Sequence, residues 1–201
     1  YLARYDGGRY ADVLLNGDIH QENADKIGIT RRQVKTVTYC FLYGGGNQKL
    51  GLSYDNMLSP EEAKKKGAEI RKAYMEAIPG LKDLVEATKK VAEKGTIRSI
   101  DGRDIHVDSG HKALNFLLQS SAGVIAKRWC LITDENLKIS NFEHERYAFV
   151  HDEQVLGSPP DLAKYIAFTC KMSAAQAGEY YKLRIPIAAD ANIGDNWAEV
   201  H

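Results

Sequence analysis

Apolar and polar residues alternate along the chain at helical spacing for most of its length and at strand spacing in two places. Val34, Val37, Phe41 and Leu42 recur at helical intervals and predict a helix over 31–43. Thr30 with Gln33 three residues on forms a capping box at its start, and Gly44, Gly45 and Gly46 stand where a left-handed C-cap is needed. Asp18 with Gln21 opens a shorter helix to about Ile27, and Ser59-Pro60-Glu61-Glu62 opens a third that Pro79-Gly80 ends. A fourth, about Leu81 to Glu93, carries Leu81, Leu84, Val85 and Val91. Lys112 to about Leu137 reads as one long, largely buried helix, and a last helix covers about Asp161 to Tyr181.

Two stretches have a period of two. Residues 96–100 and 103–107 flank Asp101-Gly102, the pattern of a hairpin, and residues 146–158 hold two strand-like runs with a polar, acidic crossing point. Pro159-Pro160 ends the second hairpin, and 185–189 reads as an edge strand, where Pro186 is tolerated. Residues 1–16 have neither a start methionine nor an N-terminal cap, so the chain is expected to begin in the middle of a larger element.

Composition narrows the class. A length of 201 residues with 44% hydrophobic content can bury the core of one large or two small domains. No run approaches the ~18 apolar residues of a membrane span, and no signal pattern opens the chain. No membrane partner is expected, and the expected location is cytoplasmic. Cys40, Cys130 and Cys170 lack CxxC or Cys/His ligand spacing and read as reduced core residues. The 27 basic and 27 acidic residues cancel, which excludes a histone-like binder and requires any nucleic-acid contact to come from local patches.

Local chemistry concentrates on the 31–43 helix. Side chains advance about 100° per residue, so Arg31, Lys35 and Tyr39 form one drifting stripe of two cations and an aromatic ring. Such a face can hold a polyphosphate and lay a ring against the attached sugar or base. Spacing alone favours the plainer reading, a surface helix with a solvated basic edge. The whole string Arg31-x-x-x-Lys35-x-x-x-Tyr39-x-x-x-Tyr43-Gly44 resembles motif B of the family A, polymerase I-like, DNA polymerases. That resemblance implies that Arg31 and Lys35 bind the incoming triphosphate, that Tyr39 lies against its sugar, and that Tyr43 and Gly44 lie beside the template base.

Further strings extend the resemblance. Gly17-Asp18-Ile19-His20 is similar to a string that in this family precedes motif B, and implies that His20 faces the triphosphate. Asn115 and Gln119, four apart on one helix face, resemble the helix that reads the minor groove near the primer end. Arg103 on the first hairpin could reach a phosphate backbone, although exposed hairpin arginines are common. His151-Asp152-Glu153 resembles motif C, which implies Asp152 as a ligand of the catalytic metals, Glu153 in a supporting catalytic role and His151 at the primer terminus. The closing residues 194–201 resemble the end of phage replicative members, so the likeness spans the chain; a phage-encoded protein would work in the host bacterial cytoplasm.

The implied fold is α+β: a polymerase palm, an antiparallel sheet with packed helices, carrying an inserted helical fingers subdomain. Residues 1–16 would follow motif A in the palm, 17–90 would form the fingers, and 91–201 would complete the palm. The implied reaction is DNA-templated DNA synthesis from deoxynucleoside triphosphates on a primer-template, with two Mg²⁺ ions. One metal carboxylate, from motif A, is expected about a dozen residues before Leu2, and a thumb or exonuclease part upstream on the same or a partner chain. The competing class is a non-catalytic DNA- or nucleotide-binding remnant, or one half of a split polymerase.

Overall fold

The computed structural model describes residues 1–200. They form two compact units, Tyr1–Gln119 and the residues from Ser120 onward. The expected fingers segment, 17–90, therefore shares its unit with 1–16 and 91–119.

In the first unit the opening residues, for which the sequence suggested no element, form α1 (Ala3–Asp6) and α2 (Arg9–Asn16). The hinge between them is Gly7-Gly8, at φ of 67° and 94°, and the Asp6 carboxylate accepts hydrogen bonds from the backbone N–H of Gly8 and Tyr10, both at 2.9 Å. Helix α3 (Ile19–Ile27) and helix α4 (Arg31–Leu42) start where their caps predict, and α4 has both halves of its capping box. It stops one residue short of the expected end because Tyr43 is the C-cap and Gly44 takes the left-handed conformation at φ 71°. The Gly45 N–H then bonds to the Cys40 carbonyl at 2.8 Å and the Gly44 N–H to that of Phe41 at 3.0 Å, the paired bonds of a Schellman motif.

Helix α5 (Asn47–Tyr54) was not expected, since it has no side-chain cap and only Leu50 and Gly51 are buried. It is made by packing. Helix α6 (Pro60–Ala77) crosses it so closely that a Cβ on Gly51 would stand 1.9 Å from the Ala63 carbonyl oxygen, and one on Gly67 1.7 Å from that of Asn47. Helix α7 (Leu81–Ala92) completes the layer. Val37, Phe41, Leu50, Ile70, Tyr74 and Leu84 form the main core, in which the Tyr74 hydroxyl donates to Thr38 Oγ1 at 3.1 Å. Burial pushes the Tyr74 phenol well above its ordinary pKa.

The first hairpin, β1 (Thr96–Arg98) with β2 (Asp104–His106), is shorter than expected because residues 99–103 close into a loop, with Gly102 at φ 86° and the Ser99 N–H on the Arg103 carbonyl at 2.8 Å. It packs Ile97 with Val107, Ala113 and Leu117. Helix α8 (Ala113–Ile139) follows, close to the expected span.

In the second unit a hairpin of β3 (Glu145–Val150) and β4 (Glu153–Gly157) lies with α9 (Ala163–Tyr180), and α10 (Trp197–Val200) closes the chain. The four strands form two separate antiparallel pairs. Helix α8 is not largely buried: Leu131 is 51% and Ile139 84% exposed, because only one stripe, ending in Leu137, meets Ile166 and Cys170 of α9. Residues 185–189 form no strand; Ile187 packs on Gly178 of α9, where a Cβ would come within 2.9 Å of its side chain. All three cysteines are free, and Cys40 and Cys170 are buried as expected, but Cys130 is half exposed.

Candidate functional site

One face of α4 is exposed and the other is core. Val34 and Val37 are fully buried and Phe41 nearly so, whereas Arg31, Lys35, Tyr39 and Tyr43 all face solvent. Tyr39 and Tyr43 stack with centroids 6.4 Å apart and rings 17° from parallel, so the aromatic half of the stripe is a continuous platform. A ligand laid along this helix meets cations at its N-terminal end, where the helix dipole also favours anions, and ring faces at the other.

Asp18 gathers the cationic end, a role the sequence did not reveal beyond its cap. Its Oδ1 accepts from the backbone N–H of His20 and Gln21, both at 3.1 Å, while its Oδ2 pairs with Arg31 Nε at 2.7 Å. The Arg31 hydrogen bond, aided by these backbone donors, holds the Asp18 carboxyl below its ordinary pKa. This one carboxylate thus brings the start of α3, with His20, to the start of α4, with Arg31. His20 is half-buried and its Nδ1 is enclosed without a hydrogen-bond partner, as are both side-chain polar atoms of Asn23 one turn on.

At the other end of α4, Asn115 Nδ2 donates to the Leu42 carbonyl at 3.2 Å, and a Cβ on Gly44 would lie 3.9 Å from that of Asn115. Asn115 therefore adjoins Gly44. Gln119 is exposed one turn further along α8. Arg103 lies on the β1–β2 loop and pairs with Asp101 at 2.6 Å; it is not among the side chains gathered around α4 by any contact in the structure.

The second unit holds His151, Asp152 and Glu153 at the β3–β4 turn. Val150 pairs with Glu153, so His151-Asp152 is a two-residue loop, and His151 sits at φ 54°, a conformation that favours glycine. Asp152 is exposed and has no hydrogen bond or ion pair with any described residue. The hairpin is moored by Arg146, which donates to Gln154 and meets Asp134 of α8 at 2.5 Å, by Gln154 Nε2 on Thr133 Oγ1 at 3.3 Å, and by Phe149 edge-on to Trp129 at 6.3 Å. Trp129 in turn donates to the Cys170 carbonyl of α9 at 2.8 Å. None of these moorings was singled out from the sequence: Arg146 meets Gln154 across the hairpin, and the contacts to Asp134, Thr133 and Trp129 join residues twelve or more apart with no periodic signal.

Residues 11–199 match the DNA polymerase family A. The chain belongs to that family. The family A chain is 33% identical over 224 aligned positions to the DNA-directed DNA polymerase of Enterobacteria phage T3, covering all of this chain and 31% of the relative. The DNA-directed DNA polymerase of Escherichia phage T7 gives the same identity and coverage. DNA polymerase I of Bacillus caldotenax is 27% identical over 194 residues, 90% of this chain and 21% of the relative. Our family A chain thus spans about a third of the length of the phage relatives. Its fold is that of the POL domain of Pol1 from M. smegmatis, a structure in complex with DNA primer-template and dNTP, at a TM-score of 0.75 and 22% identity over 92% of this chain and 35% of that one.

Metal ligation has partial support in the residues present. Among the described residues no group of three or more His, Cys, Asp or Glu side chains could hold an ion, and Asp152 with Glu153 is the adjacent carboxylate pair at the hairpin tip. Carboxylates suit a hard, oxygen-seeking cation, and Asp152 is accessible to one.

Proposed function

We propose that this chain is the nucleotide-binding and motif C portion of a family A DNA polymerase and serves DNA-templated DNA synthesis. The observation that carries this reading is the α4 stripe, with its cations at one end and a stacked tyrosine pair running to a glycine C-cap at the other. Arg31 and Lys35, with His20 beside them, bind the triphosphate; Tyr39 supports the sugar; Tyr43 and Gly44 bound the place of the template base. Asn115 and Gln119 check base-pair geometry from the minor groove, and Arg103 approaches the DNA backbone. In this reading residues 17–90 are the fingers, and 1–16 with 91–201 belong to the palm.

Asp152 would hold Mg²⁺ together with a carboxylate from outside these residues, Glu153 supporting it and His151 touching the primer terminus. Bound divalent ions supply charge stabilisation for in-line phosphoryl transfer and lower the pKa of the attacking hydroxyl. The chain's own contribution is to bind and orient the triphosphate by its phosphates and ring face, and to present one carboxylate at the primer end. The rest of the machinery, upstream in the relatives' greater length, and the primer-template and nucleotide partners are part of the same proposal, as is activity in a bacterial host cytoplasm.

The test uses the polymerase made of these residues together with the segment preceding them. Asp152→Asn abolishes primer extension while primer-template affinity holds, because the change removes charge and little shape. Templated extension by residues 1–201 alone, or an unimpaired Asp152→Asn enzyme, overturns the reading. Nucleotide binding without extension in the longer protein would favour instead a non-catalytic half.

A further inference from the structure

Arg71 of α6 is a half-buried cation without a carboxylate partner among the described residues. Its Nε donates to Asn47 Oδ1 at 2.7 Å, its Nη2 donates to the Gly45 carbonyl, and its guanidinium lies 5.3 Å from the centre of the Phe41 ring. All three partners belong to the end of α4 or to the junction with α5. Burial lowers the Arg71 pKa without neutralising it. The reach is made possible one turn earlier on α6, where Gly67 brings the backbone against the Asn47 carbonyl.

The segment so held is the one that most needs holding. Three consecutive glycines have more conformational freedom to lose than any other triplet, and Gly46 begins α5 without a side-chain cap. A planar guanidinium offers Nε and Nη2 as a fixed fork and its face to a ring, which a lysine ammonium cannot reproduce. We infer that Arg71 is a positioning residue that latches the Gly44–Asn47 junction, so that Tyr39 and Tyr43 keep one orientation when a nucleotide binds Arg31 and Lys35. This inference rests on the nucleotide-binding reading of α4.

Amide hydrogen exchange and steady-state kinetics on the longer polymerase test it, with Arg71→Ala and Arg71→Lys. In Arg71→Ala, exchange at Gly44 and Gly45 should rise at least about tenfold while the amides of α6 and α7 stay protected, and the nucleotide KM should rise about tenfold with kcat and primer-template affinity little changed. Arg71→Lys should recover only part of either effect. Unchanged exchange at the glycines, a rise spread evenly over α4 to α7, or local loosening with an unchanged KM would each overturn the proposal. If the wild-type protein extends no primer, the functional reading fails separately, and the exchange pattern still decides whether the latch exists.

Discussion

His151 shows what a single residue contributes at the turn of the second hairpin. A side chain at φ 54° costs about 1–2 kcal/mol relative to glycine, and the two-residue loop between Val150 and Glu153 leaves no slack to relieve it. His151→Gly should therefore stabilise the protein by about 1 kcal/mol in urea unfolding and, on the proposed reading, lower primer extension by the longer polymerase by removing the ring beside Asp152. Unchanged or reduced stability would mean that the imidazole makes compensating contacts at the turn. The place of this triplet at a hairpin turn was legible in the sequence because it interrupts two apolar runs, and its proposed chemistry came only from the likeness to motif C; the positive φ at His151 was not foreseen. Asp18 is similar. Its place before Gln21 marked it as a cap, while its bond to Arg31, thirteen residues on, follows from how two helices meet.

Elements were read best where local signals agreed. Helices α4 and α6 carry capping boxes that the structure confirms bond by bond, α3 keeps only the Asp18 half of the expected box because the Gln21 side chain donates to Asp25 at 2.7 Å, and both hairpins lie where alternation placed them. Helix α5 was missed because nothing local demands it, and 185–189 was misread because β-like alternation there serves packing of Ile187 on α9 rather than pairing. The mooring of the β3–β4 hairpin is likewise tertiary. Arg146→Met should leave Asp134 half-buried without its cation and Gln154 without its donor, a loss of about 1–3 kcal/mol measurable in chemical denaturation. In the longer polymerase, extension should fall with the nucleotide KM nearly unchanged, since the hairpin and α4 have separate supports. A change in KM alone would contradict that separation.

For the whole molecule, balanced charge conceals an asymmetry in acid. Hydrogen bonds from Arg31 hold Asp18, from Lys26 and Arg9 hold Glu22, and from Ser59 hold Glu62, each below its ordinary pKa of 3.8 or 4.5. A carboxyl whose folded pKa is depressed adds stability above its unfolded pKa and loses it as pH falls through the folded value. The melting temperature should thus be flat from neutral pH down to about 5 and decline below about 4, with the decline reduced in Asp18→Asn. An equally steep decline in that variant would mean that other carboxyls govern it. The family was legible because the strings that resemble motifs B and C are short and local. The division into units at Gln119 was not, because a continuous helix crosses it and no composition change marks it.

The crossing of α5 and α6 at Gly51 and Gly67 has a consequence for inheritance. What stands in the way of a side chain at either place is backbone, Ala63 and Asn47 respectively, and no repacking of neighbours can clear it. In the gene, the two codons are therefore confined to those for a single amino acid, while the nearby exposed lysines Lys64 and Lys65 are free to drift. Descendants of this protein can change nearly every residue that covers the crossing, and neither of the two that permit it.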